Sequence, residues 1–232
     1  MSPDPGRAAT QQTTPVDKKG RSVDKGAIIL CGGESTRMGH DKASLPFGPE
    51  TMLQRVVRLL SSVLDSSRIV VVSAAGQHLP NLPPEVRLAR DQYSGRGPLE
   101  GFAAGLRLLQ SQVDAVFLSS CDSPRLVPGV VELLFHRLGE ADIAVPFDGA
   151  YEHPLTAVYR TSVLERVETQ LAGNRFSLRS LFDQVSTVRV PTDELRTVDP
   201  HLTTLANLNS PEEYRKALLE MGFESDHPSF LE

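Results

Sequence analysis

The sequence predicts an α/β fold, with one mostly parallel central sheet layered between helices. Three observations carry this. Apolar runs alternate with amphipathic segments through residues 27–145, the pattern of a parallel sheet with helices on both faces. Runs such as Ile69-Val70-Val71-Val72 are β-branched without alternation, as strands buried on both sides are. Proline or a capping residue stands where several helices should begin, as at Pro98, Pro128 and Ser210-Pro211.

The elements follow in order. Residues 1–24 are rich in Pro, Thr, Gln, Asp and Lys; with so little to bury they read as a disordered leader. Residues 27–31 form a first strand. Residues 51–64 place Leu53, Val56, Val57, Leu60, Val63 and Leu64 on one helical face. Ile69–Ser73 is a second strand, and Val86–Ala89 a weaker one that Asp91 follows. Pro98 opens a helix with Leu99, Phe102, Ala103, Leu106 and Leu109 on one side. Ala115–Ser119 is a third strong strand, and Pro128 opens a helix that ends near Leu138-Gly139.

Further strands are expected at Ile143–Val145, Leu155–Tyr159 and Thr187–Val190, with helices near 161–171 and 177–184. Ser210, Pro211 and Glu213 supply N-cap, first position and third position of a last helix. This divides the chain into the leader, one domain over 25–222 and a loose tail over 223–232. No internal repeat is visible.

Composition narrows the function classes. The 232 residues are 40% hydrophobic, carry a formal charge of −5 and have a pI near 5.7. That supports one large core and argues against nucleic acid as the main partner, since such binders are usually basic. No apolar run approaches the ~18 residues of a membrane span, and the N-terminus lacks the apolar centre of a secretory signal. The two cysteines, Cys31 and Cys121, each end an apolar run and read as small buried residues. The expected setting is the cytoplasm, without a membrane partner.

Chemistry concentrates after the first strand, in Leu30-Cys31-Gly32-Gly33-Glu34-Ser35-Thr36-Arg37-Met38-Gly39-His40-Asp41-Lys42. Adjacent glycines let the backbone turn sharply and bring N–H groups against an anion. Arg37 and Lys42 add mobile positive charge. The spacing departs from the P-loop, because five residues separate Gly33 from Gly39 and His40 follows. It departs from the dinucleotide fingerprint too, because Gly32 and Gly33 are adjacent. On pattern alone it suits both a phosphate cradle and an ordinary strand-to-helix turn.

Ligands of parallel sheets bind at the C-terminal ends of the strands. That rule gathers the Gly32-Gly33 loop, Asp91 and Cys121-Asp122-Ser123-Pro124 at one edge. Asp122 ends an apolar strand that Pro124 prevents from continuing. A carboxylate there suits Mg²⁺, which takes oxygen ligands and often shares one or two carboxylates with substrate phosphates. A solvated turn or a helix cap is the alternative for both Asp122 and Asp91. Together the loop, Arg37, Lys42, Asp91 and Asp122 describe a triphosphate–magnesium site. His40 and His153 read as loop and packing residues.

The stretch from Gly32-Gly33 through Arg37-Met38-Gly39 to Asp41-Lys42 resembles the signature of nucleotidyltransferases with a single, three-layer Rossmann-like domain. Within that superfamily the chain resembles the molybdenum cofactor guanylyltransferase family. Asp91 to Gly97-Pro98-Leu99-Glu100-Gly101 is similar to its Asp…Gly-Pro-Leu-Ala-Gly element, and Cys121-Asp122-Ser123-Pro124 to its Cys-Asp-Thr-Pro metal loop. His153-Pro154-Leu155 and Asn207-Leu208-Asn209-Ser210-Pro211-Glu212-Glu213 resemble later elements. The likeness covers about residues 26–217.

The resemblance implies transfer of GMP from GTP to the terminal phosphate of molybdenum-bearing molybdopterin, with release of pyrophosphate. It implies that Leu30, Cys31, Gly32 and Gly33 wrap the nucleotide. Arg37 and Lys42 would neutralise phosphate charge, Asp122 would hold Mg²⁺, and Asp91 would contact the nucleotide or a second metal shell. Asn207 and Asn209 would serve the pterin side. Molybdoenzymes or their chaperones would be transient partners.

Two departures stand out. Cys31 replaces the alanine of the family's Leu-Ala-Gly-Gly, keeping a small residue. Some members carry a nucleotide-reading Asn after the second strand, whereas Ser73-Ala74-Ala75-Gly76 has no amide, which leaves the base open. The competing readings are a nucleotidyltransferase for another base, such as the cytidylyl enzyme of the same cofactor, and a non-catalytic nucleotide or cofactor delivery module.

Overall fold

The structure, a computed structural model, describes residues 23–32, 41–91 and 96–223. In chain order it contains β1 (Lys25–Leu30), β2 (Pro46–Phe47), β3 (Glu50–Thr51), α1 (Met52–Ser61), β4 (Ile69–Ala74), β5 (Arg87–Asp91), α2 (Pro98–Leu109) and β6 (Ala115–Ser120). It continues with α3 (Pro128–Leu138), β7 (Ile143–Phe147), β8 (Ala157–Arg160), α4 (Leu164–Ala172), β9 (Thr187–Pro191), α5 (Thr192–Leu195) and α6 (Pro211–Glu220).

Seven strands form one sheet in the order β5-β4-β1-β6-β8-β7-β9, and β2 and β3 pair separately. The β4–β5, β1–β4, β1–β6 and β7–β9 pairs are parallel, while β8 runs antiparallel to both β6 and β7. The reversal has a plain cause: loop 148–156 between β7 and β8 is too short for the crossover that a parallel return needs. The expected mostly parallel sheet is therefore present with one reversed strand.

The two-residue period of a strand sorts the core into two layers. Ala27, Ile29 and Cys31 of the first strand region pack with Val56, Leu60, Val131 and Leu134 of α1 and α3. Ile28 and Leu30 point the other way, to Phe102 and Leu106 of α2 and Val167 of α4. A third cluster joins Phe47 of β2 to Tyr214, Ala217 and Leu218 of α6. Phe223 packs edge-on against Phe47 at 5.8 Å, although the sequence places it in a loose tail. At the other end Val23 is buried in the core, and Asp24 accepts at its carbonyl from the Asp114 and Ala115 amides.

Local expectations hold in most places. Capping boxes close α1 (Thr51 with Gln54) and α6 (Ser210 with Glu213), and prolines open α2 and α3. The expected helix at 177–184 is only a single 3-10 turn, Arg179–Leu181. Leu178, Leu181 and Phe182 are all buried, and their helical spacing needs only one turn to be satisfied. Leu155 and Thr156 lie in the turn before β8 rather than in a strand. Asp91 is the last residue of its strand rather than one beyond it. The β2–β3 pair has no sequence signal, being two residues per strand.

Candidate active site

The sheet has its switch point between β1 and β6. The chain runs from β1 outward to β4 and β5, then returns to the other side of β1 as β6. Connections leave the two adjacent strand ends in opposite directions, which opens a crevice there. Leu30 and Ser120 are register partners at this point. The Cys121 amide bonds the Leu30 carbonyl at 3.0 Å, and the Cys31 amide bonds the Val72 carbonyl at 2.8 Å.

A cleft of about 280 Å³ lies over these ends. Leu30, Cys31 and Gly32 form one wall, and Ser120, Cys121 and Asp122 another. Lys42, Leu155 and the Gly97-Pro98 start of α2 complete it. Gly32 packs tightly on the neighbouring strand, since a Cβ there would stand 3.2 Å from the Ala74 backbone nitrogen. Gly97 caps α2 with φ +67°, a conformation that side chains disfavour.

The charged centre is a short chain of contacts. The Lys42 ammonium donates to Asp122 Oδ2 at 3.1 Å and to Asn209 Oδ1 at 2.9 Å. The Ser120 hydroxyl donates to Asp122 Oδ1. The Asp122 carbonyl accepts from the Leu208 amide at 2.9 Å, which draws the Asn207–Asn209 segment onto the β6 loop. Ser123 donates its hydroxyl to Asn207 Oδ1 at 2.9 Å.

The third core cluster explains why such distant residues meet. Lys42 opens a 3-10 turn, Lys42–Ser44, that runs into β2. β2 packs on α6, whose N-cap Ser210 directly follows Asn209. Burial of Leu208 fixes the segment, and the flanking asparagines are left at the cleft.

Lys42, Asp122, Asn207 and Asn209 thus come together, and Leu30, Cys31 and Gly32 line the same cleft. Gly33 and Arg37 lie outside the described residues, as does His40. Asp91 is not among the residues that line this cleft. It ends β5, beyond β4 and two strands from β1, which is ~10 Å along the sheet at normal strand spacing. His153 stays in the turn before β8, with Nε2 3.6 Å from Asp148 Oδ2.

The Cys31 thiol is pushed well above its ordinary range, chiefly by burial, with Cys121, Asp41 and Asp122 adding to the effect. It is a protonated packing group under the cleft floor. The sequence reading passed over Ser120, Ser123 and Gln77. Ser120 and Ser123 flank Asp122 and were hidden by its stronger signal. Gln77 supplies an amide one residue past the Ser73–Gly76 stretch.

Asp122, Ser120 and Asn209 offer oxygen donors. Among the described residues no group of three or more His, Cys, Asp or Glu side chains could hold a metal. One carboxylate among neutral oxygens is the donor set of a hard cation held mainly by substrate phosphates, so the residues fit Mg²⁺ in that manner. No helix among the described residues is long and apolar enough to cross a membrane.

Residues 27–189 match the family model of the MobA-like NTP transferase domain. The chain belongs to this family. It is a nucleotidyltransferase. A "Probable molybdenum cofactor guanylyltransferase" of Mycobacterium avium (strain 104) is 36% identical over 199 residues, covering 84% of this chain and 95% of that protein. One of the same name from Methanosarcina acetivorans is 36% identical over 207 residues, covering 84% and 91%. The crystal structure of molybdopterin-guanine dinucleotide biosynthesis protein A from Archaeoglobus fulgidus shares the fold. Its TM-score is 0.70 at 21% identity, over 85% of this chain and 98% of that one.

Proposed function

We propose that this nucleotidyltransferase moves GMP from GTP to the terminal phosphate of molybdopterin, forming the guanine dinucleotide form of the molybdenum cofactor. One observation carries the reading: Lys42 is held between Asp122 and Asn209 over the ends of β1 and β6, in a chain 36% identical to proteins named for that reaction.

A pterin phosphate oxygen attacks the α-phosphorus of GTP, the bond from the α-phosphorus to its bridging oxygen breaks, and pyrophosphate leaves with the electron pair. The protein positions the phosphates and neutralises their charge. Backbone groups of Leu30, Cys31, Gly32 and Gly33 wrap the nucleotide. Lys42, with Arg37, faces the charge that builds on the leaving group, and Asp91 serves the nucleotide at the sheet edge.

Asn207 and Asn209 each engage their amide oxygen inside the protein, with Ser123 and Lys42. Their NH₂ groups would donate to the pterin side. Asp122 would hold Mg²⁺, which supplies charge neutralisation across the phosphates. Molybdoenzymes or their chaperones would receive the product by transient contact.

The test is a thermal-shift panel of GTP, CTP, ATP and UTP with Mg²⁺, followed by a pyrophosphate-release assay with molybdopterin. A ligand that binds only the folded state stabilises it by ~2.7 kcal/mol at a hundredfold excess over its Kd. The expected result is a Mg²⁺-dependent shift with GTP and pyrophosphate release that needs both substrates. A shift and turnover with CTP alone would replace guanine in the reading. No turnover with any nucleotide would overturn the reading.

A further inference from the structure

We propose that Gln77 is a positioning residue of the reaction, its side-chain amide pinning Asp41 and so setting where Lys42 points. The proposal rests on the reading that Lys42 acts on the phosphates.

Gln77 stands in the turn after β4, its own amide bonded to the Ala74 carbonyl at 3.2 Å. Its side-chain oxygen accepts from the Ala74 amide at 3.0 Å. Its side-chain nitrogen donates to the Cys31 carbonyl at 3.1 Å and to both Asp41 oxygens, at 2.9 and 3.0 Å. One planar group thus ties the end of β1, the end of β4 and the carboxylate beside Lys42.

Asp41 passes the constraint on. Its Oδ1 also accepts from the Ala43 amide at 3.0 Å, capping the 3-10 turn that Lys42 begins. The amide–carboxylate bond is charge-assisted, so it holds Asp41 more firmly than a neutral pair would. From that turn Lys42 extends to Asp122 and Asn209.

Both N–H donors of the Gln77 amide are engaged within the protein. The group is therefore built to hold the wall of the site rather than to read a base. Of the twenty side chains, only an amide of this length offers an acceptor for Ala74 and two donors for Cys31 and Asp41 from one flat head. A glutamate would set a second carboxylate against Asp41, where like charges disfavour ionisation.

The experiment combines Gln77→Leu and Gln77→Glu with Lys42→Ala and reads kcat and KM separately. Gln77→Leu should lower kcat about 10- to 100-fold, the scale of a modest misplacement, with KM for GTP within about threefold. On the Lys42→Ala background the same change should cost less than about twofold, because residues acting as a unit are non-additive. Gln77→Glu should gain relative to the parent as the pH falls from about 8 to about 6, as the paired carboxyls take up a proton. A full Gln77→Leu cost on the Lys42→Ala background would overturn the proposal.

An activity-independent arm separates this proposal from the functional reading. Lys42 acylation by acetic anhydride is followed by mass spectrometry, with Lys216, whose side chain is 77% exposed, as internal reference. Gln77→Leu should raise the Lys42 rate several-fold relative to Lys216, and an unchanged ratio would overturn the pin. If the parent transfers no guanylyl group, the functional reading fails and this ratio alone decides the role of Gln77.

Discussion

Lys42 and Asp122 meet at 3.1 Å across 80 residues of chain, each side chain about 15% exposed. Each charge offsets the other in a partly buried place. In the proposed reaction a triphosphate would compete for Lys42, and a cation for Asp122. On the proposed reaction, the pair would open to receive oppositely charged halves of one ligand.

Asp122→Ala should abolish Mg²⁺-dependent pyrophosphate release, a loss of ~10²-fold or more if its charge organises the phosphates. Asp122→Asn keeps an acceptor for the Ser120 hydroxyl but not the charge, and should be nearly as inactive. Circular dichroism and melting should show an intact fold in both. Turnover within about twofold of the parent would remove Asp122 from the site.

Lys42→Ala should slow turnover by ~10²–10³, the usual loss of one preorganised charge-stabilising donor. It removes the ammonium that occupies Asp122 Oδ2, so the variant should also need less Mg²⁺ for half-maximal rate. A Mg²⁺ titration at saturating GTP checks both effects. An unaltered curve would mean that Lys42 is a bystander.

Gly105 sits in α2 directly over β1. A Cβ there would come within 2.7, 2.8 and 2.9 Å of three carbons of the Ile28 side chain, which is fully buried. Gly→Ala in a helix normally gains ~1 kcal/mol, but overpacking of this kind costs ~1–3 kcal/mol. Gly105→Ala should therefore lower Tm, by ~2–4 °C for each kcal/mol of net loss. A raised Tm would show that Ile28 yields at little cost.

Two of the groups shifted by folding make stability depend on pH. The Arg58 hydrogen bond first, and the charges of Arg58 and Arg55 after it, hold the Glu50 carboxyl below its ordinary range. Its folded pKa is thus below the unfolded one, so its stabilisation is present above ~4.3 and is lost as pH falls through the folded value. Cys31 is the reverse case. The folded thiol keeps its proton while the unfolded one ionises above ~8.5, so stability declines as pH rises past that point. Denaturant midpoints against pH should flatten on the acid side in Glu50→Gln and on the alkaline side in Cys31→Ala. An unchanged acid limb in Glu50→Gln would assign the acid sensitivity elsewhere.

Much of this protein is legible from local chemistry alone. β-branched runs such as Ile69–Val72 favour buried strands, and Pro98, Pro128 and the Ser210–Glu213 box mark helix starts through backbone geometry. Strand-end placement follows from the α/β rule, which puts Gly32 and Asp122 at one edge. Tertiary structure decided the rest. The reversal of β8, the collapse of 177–184 to one turn and the place of Asp91 two strands from β1 depend on which strands are neighbours. So does the Gln77 amide, whose partners Cys31 and Asp41 are 46 and 36 residues away. The reason is one of range: propensity and capping act within a few residues, whereas a site made of Lys42, Asp122 and Asn209 exists only once the sheet and the α6 cluster bring their backbones together.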